Sequence, residues 1–224
     1  METLTSEGGQ PMNQKANRKD TDLVLLSEVH PSIAIDLALA TKSNPFGIQA
    51  YRCQCAYLRY GTAKKLAKIQ EDLRKQELGL KIWAAYRPFV VQVEMFRAVG
   101  ENGDFVSDPY RPSGKKTHVR GVAVDCTLID KAGVELPMPT GYLDFEKGVE
   151  KMKHSFMDLP ENVLRNRKLL KEAMAAGGME SYKNEWWHYQ DKEWAKYPIV
   201  RFEDFPEVHK NLLVEELFAR ARAQ

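Results

Sequence analysis

Cysteine is scarce in this sequence, and an excess of charge of either sign is missing. The 224 residues include three cysteines, Cys53, Cys55 and Cys126. An odd count makes a poor disulfide framework, and Cys53 and Cys55 stand too close in sequence for a relaxed bridge. No Cys-x-x-Cys pair offers a redox or ribbon-type zinc site. The expectation is three free thiols in a reducing compartment. Lys and Arg number 33 against 31 Asp and Glu, a formal net charge of +2. So weak a field gives no reason to expect nucleic acid or a membrane surface as a partner. Nowhere do about 18 apolar residues follow one another, which excludes a membrane-spanning helix. Met1 to Asp22 is polar, carries Gly8, Gly9 and Pro11, and has no apolar run of the signal-peptide kind. A cytoplasmic location is expected, or a periplasmic one if a leader has been removed.

What is present fits a globular chain with one core. Hydrophobic residues make up 43% and charged residues 29%, an ordinary balance for a domain of this length. Residues 1–22 read as a flexible leader. Asn44-Pro45-Phe46-Gly47 signals a turn. Ala63 to Leu78 is the clearest helix: Leu66, Ile69, Leu73 and Gln76 form a stripe opposite Lys64, Lys65, Lys68, Glu71 and Asp72. Gly79 follows where a helix C-cap is expected. Leu80 to Trp83 alternates as a short strand, and Pro88 disfavours helix at Arg87. Val90 to Val99 is helical, Gly100 to Lys116 a loop, and Val119 to Leu128 a strand interrupted by Gly121. Leu136 to Gly141 is a second loop. Asn162 to Ala176 is a helix with Leu164, Leu169, Leu170 and Met174 inward, closed by Gly177-Gly178. Glu185 to Tyr189 is aromatic and β-prone. Val208 to Gln224 reads as one amphipathic helix, with Leu212, Leu213, Leu217 and Phe218 on one side. Without repeats or a splitting linker, the simplest organisation is one α+β domain over residues 23–206 with a C-terminal helix over 207–224.

Two short segments concentrate chemistry. A catalytic zinc takes three protein ligands from His, Asp, Glu or Cys and leaves a position open. The chain has five histidines, His30, His118, His154, His188 and His209. His118 stands seven residues before Asp125, which a strict strand would place on opposite faces. Gly121 offers a turn or bulge that brings both side chains to one side. Beyond it, Val122 and Val124 would face the core, and Ala123 and Asp125 a cavity. The bland reading is a surface His, a bulge glycine and an Asp at a strand end, and spacing alone does not choose between the two. In Glu185-Trp186-Trp187-His188 a carboxylate precedes a His by three. Such a Glu can hold a zinc-bound water while the His binds the metal. A core aromatic cluster with one satisfied His is the alternative.

Together the motifs carry a resemblance. His118-x-x-Gly121-x-Ala123-x-Asp125, followed some sixty residues later by Glu185-Trp186-Trp187-His188, resembles the VanX-type D-alanyl-D-alanine dipeptidases. These zinc peptidases are related to D,D-carboxypeptidases and distantly to hedgehog-fold proteins. The similarity runs from about Asn44 to about Pro198. It takes in Tyr86-Arg87-Pro88, Asp108-Pro109, the Leu136–Phe145 loop and Asn166-Arg167. It implies an antiparallel central sheet with flanking helices and one zinc per chain on His118, Asp125 and His188. It makes Glu185 the general base and acid, Arg87 the cation for the tetrahedral intermediate, and a small D,D-dipeptide the substrate. His154-Ser155 matches a family position without an assigned role. The chain departs from the family at Lys116, where Ser is usual, at Ala84, where Asp is common, and at Met138-Pro139-Thr140-Gly141 in the middle loop. These departures bear on pocket shape. A D,D-carboxypeptidase or other cell-wall peptide hydrolase stays open as an alternative, as do a zinc-binding module without turnover and a plain structural domain. Nothing in the sequence fixes the oligomeric state.

Overall fold

The computed structural model describes residues 17–223. The strands are β1 (Leu23–Leu25), β2 (Ala34–Ile35), β3 (Tyr57–Arg59), β4 (Leu78–Ala84), β5 (Ala123–Asp130), β6 (Met179–Ser181) and β7 (His188–Asp191). The helices are α1 (Leu26–Val29), α2 (Tyr60–Arg74), α3 (Phe89–Ala98), α4 (Val149–Met152), α5 (Glu161–Ala176), α6 (Pro206–Leu212) and α7 (Glu215–Arg222). Five strands form a sheet in the order β2-β4-β5-β7-β6, while β1 and β3 pair separately. Only β2 runs parallel to its neighbour in the large sheet. The α+β class and the largely antiparallel centre are as expected. Among the described residues no helix is long and apolar enough to cross a membrane.

The α2 stripe does its predicted work, burying Leu66, Ile69 and Leu73. The helix stops at Arg74, however, and Leu78 already belongs to β4. Gly79 is therefore no C-cap. It lies in the strand, where a Cβ would sit 3.0 Å from Nε2 of Gln70. The same Gln70 accepts a hydrogen bond from the Leu80 amide at 2.8 Å. Close approach of a buried polar side chain, not a left-handed backbone, explains this glycine. In α5 the buried stripe is Val163, Arg167, Leu170 and Met174. Leu164 and Leu169 flank it half-buried. Arg167 earns its inward place by donating to the carbonyls of Phe156 at 2.7 Å and Lys153 at 3.2 Å.

The C-terminal helix is two helices. The chain turns extended at Leu213 and Val214, where the Val214 amide donates to Ala50 O at 3.0 Å and the Arg52 amide to Leu212 O at 2.9 Å. These long-range backbone bonds interrupt the helical ladder that local periodicity favours. The leader lies outside the described residues up to position 16. Asp20 and Asp22 accept backbone bonds from Gly61 at 3.1 Å and Tyr60 at 2.8 Å. Cys53 and Cys55 are joined as a disulfide with Cα atoms 5.2 Å apart, within ordinary bridging range. Only Cys126, buried in β5, keeps the free thiol expected of all three.

Candidate metal centre and active site

Sheet register assembles the centre. In the β5–β7 ladder Asp125 stands directly opposite His188. In the β4–β5 ladder a bulge between Ile82 and Ala84 puts Ala84 opposite Asp125. His118 is not on the strand, which begins at Ala123. It sits in a turn over residues 117–121, closed by the Gly121 amide on His118 O and the Val122 amide on Thr117 O, both at 3.0 Å. Gly121 has φ +73, and a Cβ there would lie 2.9 Å from Leu23 and 3.5 Å from the Arg59 amide. The turn, rather than a bulge, brings His118 round to Asp125. Ala123 is fully buried and is not among the cavity-lining residues, in contrast to the expectation. Likewise β7 starts only at His188. Glu185 to Trp187 form the turn before it, closed by the His188 amide on Glu185 O at 3.3 Å.

Three ligand atoms converge. His118 Nε2 lies 3.2 Å from Asp125 Oδ1 and 3.2 Å from His188 Nδ1, and His188 Nδ1 lies 3.0 Å from the same Oδ1. Nδ1 of His118 donates to the Ala85 carbonyl at 2.7 Å. That bond fixes the tautomer and leaves a lone pair on Nε2. Burial alone would raise the Asp125 carboxyl, but the charges and hydrogen bonds of His118 and His188 hold it well below the usual range. Burial lowers His118 in spite of Asp125. For His188, the bond to Asp125 and that carboxylate's charge outweigh burial and raise it. Two imidazole nitrogens and a carboxylate oxygen, buried and within 4.8 Å of one another, can hold a metal ion. They match the donor set and count of a catalytic zinc site with one position left open.

Around this cluster lies a cavity of about 500 Å³, walled on one side by the loop between α3 and the His118 turn. Arg87 and Glu185 both line it. Glu185 Oε2 is 3.9 Å from His188 Nδ1, and its side chain is 33% exposed. Burial raises the Glu185 carboxyl, against the charge of His188. The buried indole N–H of Trp187 lies beside it without closing a hydrogen bond. Arg87 is buried; Nη1 donates to Gln92 Oε1 at 2.8 Å and Nη2 lies 3.6 Å from Asp125 Oδ2, while Nε has no partner.

Two polar residues here escaped the sequence reading. Tyr142 donates to Asp125 Oδ2 at 2.8 Å. Burial, with the Asp125 charge adding, raises its phenol well above the ordinary value, so it is a donor. Gln92 ties Arg87 to the cavity wall by donating to Ser107 O at 2.9 Å. The available signal for Gln92 was a polar residue amid Val90, Val91 and Val93; Tyr142 lay in the noted middle loop. In that loop Thr140 Oγ1 accepts from the Trp186 indole at 3.0 Å. Lys116 lines the cavity. The other histidines stand apart: His30 faces Ser32, His209 meets Tyr86, and His154 Nε2 is buried without a partner.

Comparison with known proteins places the chain in a family. The peptidase M15 family model, described as D-ala-D-ala dipeptidase, matches residues 19–209. The chain is 32% identical to the D-alanyl-D-alanine dipeptidase of Escherichia coli K12 over 180 residues, 80% of this chain and 90% of that protein. It is 29% identical to the D-alanyl-D-alanine dipeptidase of Enterococcus faecium over 197 residues, 81% and 96% of the two chains. Against that of Streptomyces coelicolor the identity is 28% over 201 residues, 83% and 98%.

Proposed function

The chain belongs to the M15 peptidase family of D-ala-D-ala dipeptidases, and from that premise we propose that it hydrolyses free D-alanyl-D-alanine or a similar D,D-dipeptide with one zinc ion. His118, Asp125 and His188 hold the metal. When bound, zinc supplies Lewis acidity toward water and toward the peptide carbonyl. Glu185 takes the proton of the attacking water and carries it to the leaving amine. Its desolvated carboxyl, raised above the ordinary value, suits a group that must both accept and return a proton. Arg87 lines the cavity, and its buried Nε has no hydrogen-bond partner. A fixed donor of that kind stabilises the oxygen on which negative charge builds. Trp187 and the loop over residues 103–117 line the cavity, and exclusion of water by a bound substrate would strengthen both interactions.

The observation that carries the proposal is the meeting of three buried ligand atoms with a carboxylate 3.9 Å from one of them, inside a cavity that also holds Arg87. The test is hydrolysis of D-, L- and mixed-chirality dipeptides with zinc added. Release of D-Ala from D-Ala-D-Ala, lost on chelation, supports it. Turnover only of longer peptides ending in D-Ala-D-Ala would make the enzyme a D,D-carboxypeptidase. Zinc without turnover of any peptide would leave a metal-binding module.

A further inference from the structure

We infer that Tyr142 is the positioning residue for Asp125: its hydroxyl holds one carboxylate oxygen so that the other is presented to the metal. The inference rests on the zinc reading of the His118–Asp125–His188 cluster. Asp125 has two oxygens with separate tasks. Oδ1 faces His118 Nε2 at 3.2 Å and His188 Nδ1 at 3.0 Å. Oδ2 accepts from the Tyr142 hydroxyl at 2.8 Å and lies 3.6 Å from Arg87 Nη2. At those distances Tyr142 makes the hydrogen bond and Arg87 only a looser charge contact. Free of Tyr142, the carboxylate can rotate about its own axis and move Oδ2 toward Arg87 Nη2, now 3.6 Å away. The hydroxyl opposes that rotation and keeps Oδ1 between the imidazoles.

Tyr142 is itself held rigidly. Its ring stacks on Trp83 with centroids 4.9 Å apart and planes 15° from parallel, and it meets Trp187 edge-on at 5.6 Å and 84°. Trp83 sits in β4, and Trp187 immediately precedes the third ligand. The donor is thus anchored to β4 on one side of Asp125 and, on the other, to the turn that leads into β7. Tyr142 is not among the residues lining the cavity, so it meets Asp125 from outside the substrate space. A role in ligand orientation accounts for the hydroxyl; a role in packing alone needs only the ring.

The test is Tyr142→Phe, which removes one oxygen and keeps the stack. Zinc affinity is measured by competition with a chromophoric chelator, and melting temperatures are taken with and without zinc. The expected result is zinc bound 10–100-fold more weakly than by the wild type, the usual scale for losing a partner of a metal ligand. The zinc-free proteins should melt together, the gap opening only when zinc is added. A cobalt(II)-substituted variant should also show altered visible bands, because the carboxylate reaches the metal in a different pose. Equal zinc affinity in the two proteins would overturn this inference and leave the metal site standing. A variant that melts lower without zinc and binds it unchanged would assign the hydroxyl to packing. Absence of zinc binding from the wild type would overturn the metal reading, and this inference with it.

Discussion

Nδ1 of His118 lies 2.7 Å from the carbonyl oxygen of Ala85, two residues ahead of Arg87. The Arg87 amide returns the contact by donating to His118 O at 3.1 Å. The proposed ligand and the proposed cation therefore belong to one hydrogen-bonded pair of segments. Orienting the imidazole also sets where the guanidinium enters the cavity. Replacing His118, Asp125 or His188 by Ala should abolish stoichiometric zinc, measured by metal analysis of purified protein. The wild type should gain about 2.7 kcal/mol of stability at free zinc of about 100 times its Kd, and the variants should gain none. Unchanged zinc content in all three would end the metal reading.

Metal holding and proton transfer should separate at Glu185. It lies 3.9 Å from His188 Nδ1 and outside the cluster of converging ligand atoms. Glu185→Gln is expected to keep zinc and lose about 10²–10⁴-fold in kcat. Loss of zinc together with activity would place the carboxylate on the metal instead.

At Arg87 the expected loss is in kcat. The guanidinium spans Gln92 and Asp125 with separate nitrogens. A lysine ammonium is a point charge that cannot reproduce that fork, so Arg87→Lys should fall roughly 10²–10³-fold. Gln92→Leu leaves the charge but removes its tether to Ser107 O. A drop on the order of tenfold to a hundredfold is expected from the resulting drift. Steady-state kinetics decide: a raised KM with wild-type kcat in both variants would confine Arg87 to substrate binding.

The chemistry was more legible than the geometry. Histidine is scarce, five in the chain, and two of the five stand in dense polar contexts with Asp125 and Glu185. That Asp125 faces His188 is a matter of register between β5 and β7, which no spacing within either segment encodes. Gly121 was legible as a break, a turn or a bulge, because a strict strand sets residues seven apart on opposite faces; the structure makes it a turn. Gly79 misled because a glycine after a helix has two physical causes, and the second, contact with Gln70, arises only when β4 packs back on α2. The break between α6 and α7 and the place of Tyr142 have the same origin. Each depends on a partner more than fifteen residues away: Leu213 pairs with Tyr51 and Tyr142 with Asp125.

Acid stability should depend on two histidines away from the metal. Burial pushes His154 down to about 4 from the ordinary 6.5. Burial also lowers His209, whose Nδ1 donates to Phe205 O and whose Nε2 accepts from Tyr86. Above pH 6.5 folded and unfolded chains are both neutral at these positions. Below it the unfolded chain takes up protons that the folded one resists, so stability is lost as pH falls toward the folded values. Between about pH 5 and 6.5 the His154→Gln/His209→Gln double variant should show a flatter dependence of its urea midpoint on pH. A slope equal to the wild type's would assign the acid sensitivity elsewhere.

Substrate form is the remaining expectation, and Lys116 is the residue through which to probe it. A free dipeptide brings an ammonium and a carboxylate into the cavity, and each is costly to bury without an opposite partner. Lys116 lines the cavity two residues before His118 and is half-buried. Among the described residues it has no salt-bridge partner, whereas its neighbour Lys115 is paired with Glu180 at 2.9 Å. An unpaired ammonium in that position suits the terminal carboxylate of the leaving residue. Lys116→Gln should therefore raise KM for D-Ala-D-Ala by about tenfold, the scale of one lost charge-assisted bond. It should change little for the C-terminal amide, which the wild type should already bind poorly. Acetylating the amino end should cost the wild type most of its activity, because a pocket closed around a dipeptide rejects a longer chain. The comparison is kcat/KM for free D-Ala-D-Ala, its amide, its N-acetyl form and a peptide extended on the amino side. A wild-type preference for the acetylated or extended substrate would move the enzyme to the carboxypeptidase class. An equal response of amide and acid to Lys116→Gln would take Lys116 out of carboxylate recognition while leaving the zinc ligands, Glu185 and Arg87 in their proposed roles.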